Sequence, residues 1–244
     1  MSDSMENSIT YSRAIECVNL QNLPQTDVQE YLKIAKSDWN LRAQHDSTLY
    51  VCAHSQASEA EIQGSGLGDV TREFLPRIQG FKHEIVLEIG CGIARMSTHI
   101  AGDCQQLYAV DISRELLTIA EARAKALGVE NIVFMETDGN TLPGIPENTI
   151  DLAWEYLVFQ HISSSDVIES YIKEVGRVLK PGGVFIFHGR DVSGAGSVTQ
   201  GNTWHGVRLG QELVERAIKN TSLVIISEEG VNTERYWCIL QKGK

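Results

Sequence analysis

The sequence predicts an α/β protein with a doubly wound, mostly parallel sheet, preceded by a helical segment. From residue 85 onward, short runs of β-branched and apolar residues alternate with longer segments of helical periodicity. Strands that are separated by helices are joined by right-handed crossovers, so they run parallel and both faces of their sheet are covered. The last two strand candidates have no helix between them, so we expect them to pair antiparallel.

The first 80 residues predict a helical lead-in and cap, and residues 81–244 predict the sheet domain, the two forming one compact unit. Residues 1–25 are polar with scattered apolar positions, which predicts a mobile end followed by a helical lead-in. Residues 26–29, Thr-Asp-Val-Gln, have the form of a capping box. Apolar residues then follow at the spacing of an amphipathic helix that covers core: Val28, Tyr31, Leu32, Ala35 and Trp39.

A second helical pattern follows around Pro76, and three glycines precede it. Gly64, Gly66 and Gly68 are expected to break the chain before that pattern begins. The sequence therefore predicts at least two helices before the first strand.

The sheet domain contains seven strand candidates. They are Ile85–Ile89, Gln106–Val110, Ile132–Met135, Ile150–Trp154, Gly183–His188, Leu223–Ser227 and Arg235–Gln241. Helices are expected between the first five. Ser113 is a suitable N-cap and Gly128 a suitable stop for one helix, Asp166–Lys180 predicts another, and Gln211–Lys219 precedes the last two strands.

The segment IVLEIGCGIAR, residues 85–95, is the strongest functional signal in the chain. A buried strand meets an acidic residue and two glycines one residue apart, and a helix is expected to begin near Ile93. The glycines permit a tight turn and close approach of a ligand, while a helix start offers unpaired amides. This pattern predicts a nucleoside cofactor at the end of the strand.

Two further strand ends carry polar residues that suit such a cofactor. Asp111 ends the second strand, and Asp138-Gly139 follows the third. A carboxylate at Asp111 can accept both hydrogens of a ribose diol, and Asp138 can accept one from an adenine amino group. The alternatives stay open: the glycines could serve only a turn, Asp111 could only cap a helix, and residues 137–140 resemble an ordinary turn.

Taken together and in order, the segments LEIGCG, AVDIS, METDG, IDLAWEYLVFQHI and EVGRVLKPGGVFIF resemble the class I, Rossmann-like S-adenosylmethionine-dependent methyltransferases. The resemblance covers roughly residues 80–241 and implies a seven-stranded sheet whose last strand is antiparallel. It implies S-adenosylmethionine as the cofactor, and we expect the following residues to bind it: Glu88, Gly90, Gly92 and Glu155 near the methionine part, Asp111 and Ile112 at the ribose, and Asp138 and Gly139 near adenine.

The chain departs from the family pattern at Ala94, where a third glycine is frequent. A dinucleotide fingerprint would also need a small residue where Arg95 stands, so the sequence disfavours NAD.

Residues that bind the acceptor are expected on loops at the same edge of the sheet. After the fourth strand, Tyr156 is a substrate-binding candidate, and His161 is a catalytic candidate because it titrates in the useful range. In related enzymes a histidine at this place often packs or orients the loop instead, and Glu155 could contact either cofactor or acceptor.

The stretch after the fifth strand, His188–Arg208, is long, glycine-rich and without periodicity, as binding loops often are. His188 and His205 are further catalytic candidates, and Arg190, Trp204 and Arg208 are substrate-binding candidates. A surface loop with one packed tryptophan remains the alternative. In the N-terminal cap, Trp39 is a further substrate-binding candidate, and no cluster of histidine or cysteine predicts a metal site.

Composition narrows the class of partner. The net charge of -11 would repel a phosphate backbone, which favours a small-molecule acceptor over nucleic acid. No apolar run is long enough to span a bilayer, residues 1–7 lack the form of a secretory signal, and five cysteines form no CxxC pair. A cytoplasmic protein with reduced thiols and no membrane partner is expected.

The predicted activity is methyl transfer by in-line displacement to an oxygen, nitrogen or carbon nucleophile of a small molecule. Two other functions remain open, a cofactor-binding partner without activity and an RNA or protein methyltransferase. The sequence leaves undetermined the acceptor, the use of a general base, the pathway and whether the chain forms a homo-oligomer.

Overall fold

A computed structural model describes residues 27–192 and 203–244. The predicted mobile end, the cap by the Thr26 hydroxyl and the part of the glycine-rich loop at residues 193–202 lie outside the described residues.

The described residues contain one seven-stranded sheet with the order β3-β2-β1-β4-β5-β7-β6. Strand β7 runs antiparallel to both of its neighbours, β5 and β6, and the pairs among β1 to β5 are parallel. The predicted fold class and the antiparallel pairing of the last two strands are therefore confirmed. The strands are β1 Ile85–Ile89, β2 Gln106–Asp111, β3 Ile132–Glu136, β4 Ile150–Glu155, β5 Leu179–Gly189, β6 Leu223–Glu229 and β7 Tyr236–Lys242.

Seven α-helices accompany the sheet in the described part of the chain. They are α1 Val28–Cys52, α2 Glu59–Asp69, α3 Leu75–Ile78, α4 Ser97–Ile100, α5 Arg114–Ala126, α6 Ser165–Val178 and α7 Gln211–Ile218. Ser113 caps α5 as predicted, because its side chain accepts from the Leu116 amide, and Gly128 follows the helix with a φ of +70°.

The prediction that three glycines break the chain is wrong. Gly64, Gly66 and Gly68 lie inside α2, which continues through a π-helical turn, Val70–Phe74, into α3. A Cβ on Gly66 would lie 1.9 Å from the Arg95 carbonyl oxygen, so this glycine lets the helix pack directly on the loop after β1. Tertiary packing here outweighs the low helix propensity of glycine.

Two other helix predictions also differ from the structure. The first helix after β1 begins at Ser97 rather than near Ile93, because residues 92–96 form turns and Ala94 takes a φ of +59°. The connection from β3 to β4, residues 137–149, contains turns and no helix. A short irregular crossover thus replaces a helix beside the predicted adenine site.

Helix α1 is two helices joined at a kink. Its N-cap is Asp27, whose carboxylate accepts from the Glu30 amide at 3.0 Å. Asp46 has non-helical angles, φ -164° and ψ 93°, and its Oδ1 caps the amides of Thr48 and Leu49. Partial burial would raise the pKa of the Asp46 carboxyl, but hydrogen bonds from Ser55, Leu49, Thr48 and Gln56 lower it to about 2. The kink turns the end of α1, residues 47–52, back toward the sheet.

Apolar layers cover both faces of the sheet. Helix α6 supplies one layer through Ile168, Ile172 and Val175, all fully buried. The opposite layer includes Phe74, Trp154 and Trp237. Among the described residues, no helix has the length and apolarity that a bilayer crossing requires. The layers leave the carboxyl ends of the parallel strands open to α1.

Candidate functional site

A cavity of about 470 Å³ lies at the carboxyl ends of β1, β2 and β4. The kinked α1 closes its opposite side. Three groups of residues line it: Glu88, Gly90, Gly92 and Asp111 from the strand ends; Ile112, Gly139 and Leu32 at one end; and Trp39, Tyr50, Tyr156, His161 and Trp204 at the other. The structure thus brings most of the predicted site residues to one place.

The glycine turn after β1 leaves no room for a side chain. Gly90 has a φ of +69°, and a Cβ there would lie 2.2 Å from Cγ2 of Val158. The amides of Gly90 and Cys91 donate to the Val110 carbonyl, which fixes the turn against β2. The backbone at this turn is therefore bare toward the cavity.

Asp111 holds the same turn and keeps acceptor capacity for a ligand. Its Oδ2 accepts from the Gly92 amide at 2.9 Å, and its Oδ1 accepts from the Ser113 amide at 2.9 Å. Each carboxylate oxygen has a further lone pair. The residue is 7% exposed, and burial raises the pKa of its carboxyl despite these hydrogen bonds.

Glu88 is a buried carboxyl with an acceptor atom to spare. It is 5% exposed and lines the cavity, and its Oε2 has no hydrogen-bond partner among residues 27–192 and 203–244. Burial raises the pKa of Glu88 to about 7; the Arg95 charge opposes this shift, and the Asp111 charge adds to it. An orphaned buried acceptor of this kind fits a cationic ligand group.

Removing the charge of Glu88 is expected to have opposite effects on stability and on the binding of S-adenosylhomocysteine, because burial raises the pKa of this carboxyl. Because the folded-state pKa lies above the ordinary 4.5, the Glu88 contribution to the free energy of unfolding falls as pH rises from about 4.5 to 7. Between pH 5 and pH 8, the free energy of unfolding of Glu88→Gln is therefore expected to rise by on the order of 3 kcal/mol relative to that of the wild type. The variant should nevertheless bind S-adenosylhomocysteine more weakly, and the wild-type affinity should fall below pH 7 because protonation removes the negative charge.

Denaturant unfolding and calorimetric titration at several pH values test this pair of effects. Glu155→Gln is the matched control for the pH dependence of stability, since Glu155 is also fully buried with a pKa raised to about 7 but does not line the cavity. An affinity for S-adenosylhomocysteine that follows the same pH curve in wild type and Glu88→Gln would contradict the role assigned to Glu88.

The Glu155 carboxylate accepts hydrogen bonds from backbone amides and does not line the cavity. Its Oε1 accepts from the amides of Val158 and Phe159, and its Oε2 accepts from the His188 amide at 2.9 Å. The expectation that Glu155 contacts the cofactor therefore does not fit its position. Its carboxyl instead fixes the loop after β4, including Val158, against the end of β5.

Apolar side chains line the end of the cavity next to β3 and pack against Gly139. A Cβ on Gly139 would lie 2.7 Å from Cδ1 of Ile112 and 2.9 Å from Cδ2 of Leu32. Asp138 does not line the cavity, because its carboxylate accepts from the amides of Asn140 and Thr141 and from the Thr141 hydroxyl. The position of its side chain therefore does not fit the expected contact with adenine, whereas Gly139 and Ile112 are in place.

Four rings form the other end of the cavity, and we call Trp39, Tyr50, His161 and Trp204 the aromatic wall. The His161 and Trp204 ring centroids are 4.5 Å apart, and Trp39 lies 5.5 Å from His161 and 6.2 Å from Trp204. Tyr50 contacts Trp204 edge-on at 5.8 Å. Trp39 and Trp204, which sequence reasoning placed among the acceptor-binding candidates, meet here from distant parts of the chain.

His161 lies in the wall as a neutral ring. Its Nδ1 is 2.6 Å from the Trp204 carbonyl oxygen, so this nitrogen donates. Its Nε2 lies 3.2 Å from the side-chain nitrogen, Nε2, of Gln160. Burial, together with the nearby Arg42 charge, lowers the pKa of His161 to about 4, although the hydrogen bond to the Trp204 carbonyl opposes the shift. The geometry favours a packing and orienting role over that of a proton acceptor.

The other two catalytic candidates lie outside the cavity lining. His188 is buried against Tyr156 and Trp237, and burial lowers its pKa to about 4. His205 is half-buried, and burial lowers its pKa as well. Their positions therefore do not fit direct contact with a ligand in the cavity.

Two arginines proposed for the acceptor are engaged elsewhere. Arg190 pairs with Glu234, and Arg208 pairs with Asp191 at 2.7 Å, and neither lines the cavity. Tyr156 does line it.

Sequence reasoning missed Arg95 as a site residue. Its Nη1 pairs with Asp69 at 2.6 Å and its Nε donates to the Val51 carbonyl at 3.2 Å, so it joins α1, α2 and the glycine turn at the cavity. The available signal was its place inside the glycine motif. The described residues contain no group of three His, Cys, Asp or Glu side chains able to hold a metal ion.

Comparison with known proteins is consistent with this geometry. Residues 87–187 match the methyltransferase domain family. The chain is 30% identical over 101 residues to the uncharacterized methyltransferase YcgJ of Bacillus subtilis, covering 41% of this chain and 38% of that protein. It is 25% identical over 118 residues to demethylmenaquinone methyltransferase of Geobacillus stearothermophilus, covering 47% and 49%. The alignments thus span about half or less of these relatives.

Solved structures share the fold at low identity. Geranyl diphosphate C-methyltransferase from Streptomyces coelicolor, solved with S-adenosyl-L-homocysteine, matches with a TM-score of 0.64 and 14% identity, covering 88% of this chain and 98% of that one. A SAM-dependent methyltransferase from Aquifex aeolicus matches with a TM-score of 0.55 and 16% identity, covering 77% and 100%. At these identities the likeness concerns the fold.

Proposed function

We propose that this chain, whose residues 87–187 match the methyltransferase domain family, is a class I methyltransferase that transfers a methyl group from S-adenosylmethionine to a small-molecule acceptor. One observation carries the proposal. Two buried carboxyls with free acceptor capacity, Glu88 and Asp111, face one cavity across a glycine turn that admits no side chain.

The residues present fit the cofactor part by part. The orphaned Oε2 of Glu88 suits the ammonium of the methionine part, and the remaining lone pairs of Asp111 suit the two ribose hydroxyls. The apolar surface that Ile112, Leu32 and Gly139 present at this end of the cavity suits a flat ring such as adenine. Together these residues would hold the cofactor across the strand ends, beside the glycine turn.

The bound cofactor supplies a methyl group on a positively charged sulfur. The chain positions the acceptor and excludes water from the cavity. In-line displacement requires the acceptor atom to be held on the far side of the methyl group, and such alignment accounts for much of the rate. The aromatic wall offers an apolar surface for that acceptor, and the end of α1 excludes water by packing Val51 over Gly92. The division into a cap of residues 1–80 and a sheet domain of residues 81–244 belongs to this proposal.

No general base is assigned, because the ring of His161 is held by neighbours on both nitrogens and has a pKa of about 4. The acceptor then brings an ionised or electron-rich nucleophile, or its proton leaves to solvent. The small-molecule assignment draws support from relatives named for menaquinone and sterol methylation and from the net charge of -11, which disfavours RNA. A cytoplasmic location stays a prediction.

Binding and turnover test the proposal separately. S-adenosylhomocysteine is expected to bind the full chain in calorimetric titration, and methyl-labelled S-adenosylmethionine is expected to label a small molecule in a cell extract freed of macromolecules. Label found only in protein or RNA would contradict the small-molecule assignment. Binding without any transfer would favour a non-catalytic cofactor-binding partner.

A further inference from the structure

The aromatic wall has the ring composition of a site for cationic ligands, but a cation of the protein itself already contacts three of its rings. The Arg42 guanidinium carbon lies 4.9 Å from the ring centroid of Trp39, 5.4 Å from Trp204 and 5.8 Å from Tyr50. Distances of this size are those of cation–π contacts. Arg42 therefore already makes cation–π contacts with these three rings.

Arg42 is held firmly in this position. The residue is 4% exposed, its Nη2 pairs with Asp38 at 3.0 Å, and its Nη1 donates to the Thr203 hydroxyl at 2.8 Å. Thr203 also donates to Asp38, so the three side chains join α1 to the segment that carries Trp204. This network is buried, and it fixes the rings that face the cavity.

We propose that the aromatic wall binds a planar acceptor that is neutral or anionic and rejects a cationic one, and that Arg42 is the positioning residue which sets this preference. The inference rests on the proposed function, since it concerns the acceptor end of the same cavity. Cation–π attraction draws on the negative ring faces, and the guanidinium has already reduced their capacity for a second cation. A ligand ammonium at the wall would also lie close to the like charge of Arg42 behind the rings.

A pair of probes of equal shape tests the charge preference. 1-Naphthalenemethanol and 1-naphthylmethylammonium share the ring and differ at one polar group. Each is titrated by calorimetry into the full chain saturated with S-adenosylhomocysteine. The alcohol is expected to bind about tenfold tighter or more, because the ammonium meets like charge at the wall. Equal binding, tighter binding of the ammonium or binding of neither probe overturns the proposal.

A double variant tests the part played by Arg42. Asp38→Asn with Arg42→Met removes both charges together, so neither is left buried without its partner. The preference for the alcohol is expected to fall to about twofold or to reverse, as the ring faces become open to a cation. An unchanged preference in a variant that still binds both probes overturns the role of Arg42.

The chain offers a matched control in another ion pair that joins the N-terminal helices to the sheet domain. Arg123 on α5 pairs with Glu59 on α2 at 2.8 Å and neither contacts the aromatic wall. Glu59→Gln with Arg123→Met should leave the probe preference at its wild-type ratio. Titration of S-adenosylhomocysteine alone is run on every variant, so a failure of the cofactor site is seen separately from a failure of the acceptor preference.

Discussion

Asp111→Ala is expected to weaken the binding of S-adenosylhomocysteine by about 100-fold or more, because hydrogen bonds to a charged group contribute about 1.5–3 kcal/mol each and two ribose contacts are lost. The same change removes the acceptor for the Gly92 and Ser113 amides, which loosens the turn that meets the ligand. Calorimetric titration of the wild type and the variant measures the effect.

Asp151→Ala is the control for this experiment. Asp151 is also a buried carboxylate, 4% exposed, that accepts from a backbone amide, that of Ile85 at 2.9 Å, and it pairs with Lys180. It lies at the opposite end of β1 from the cavity. This variant should lose stability while keeping its affinity for S-adenosylhomocysteine. Equal losses of affinity in the two variants would mean that Asp111 acts only through the stability of the fold.

Gly90→Ala is expected to lower the free energy of unfolding by about 2–4 kcal/mol and to abolish cofactor binding, because a left-handed backbone and a steric clash add together. The new Cβ would lie 2.2 Å from Cγ2 and 2.9 Å from Cγ1 of Val158. The loop after β4 cannot easily yield, since Glu155 holds the Val158 and Phe159 amides. Denaturant unfolding and titration with S-adenosylhomocysteine report the two effects.

Gly128→Ala isolates the contribution of the clash. Gly128 has a φ of +70°, close to the +69° of Gly90, and a Cβ there meets nothing within 4 Å. Gly128→Ala should therefore lower the free energy of unfolding only by the backbone strain, about 1 kcal/mol. Adding Val158→Ala to Gly90→Ala should recover part of the difference in stability. Equal costs for the two glycine variants, without recovery, would contradict the packing described at the turn.

The strand ends and the glycine turn could be predicted from the sequence because both depend on local patterns. A buried β-branched run, a pair of glycines and a terminal carboxylate are short-range signals, and Asp111 and Gly90 stand where those signals place them. The antiparallel pairing of β6 and β7 followed in the same way from the short connection between them.

The roles of individual carboxylates could not be predicted in this way. Glu88, Asp138 and Glu155 all lie near strand ends, but only Glu88 keeps an orphaned oxygen at the cavity. Asp138 and Glu155 are taken up by backbone amides a few residues away, which is a matter of loop geometry.

Contacts between distant segments could not be predicted from the sequence either. The aromatic wall joins Trp39, His161 and Trp204, and no local periodicity links these positions. The prediction that Gly66 breaks the helix is wrong because the Arg95 carbonyl, which leaves no room for a Cβ on this glycine, lies in a different element. Such close approaches follow from tertiary packing.

The central claim is that the cavity at the carboxyl ends of β1 and β2 is the cofactor site, and a crystal structure of the full chain with S-adenosylhomocysteine tests it most directly. We predict the ribose hydroxyls on Asp111, the ammonium on Glu88 and adenine against the apolar surface of Ile112, Leu32 and Gly139. Ligand density at another place, or density here with Glu88 and Asp111 uninvolved, would contradict the account.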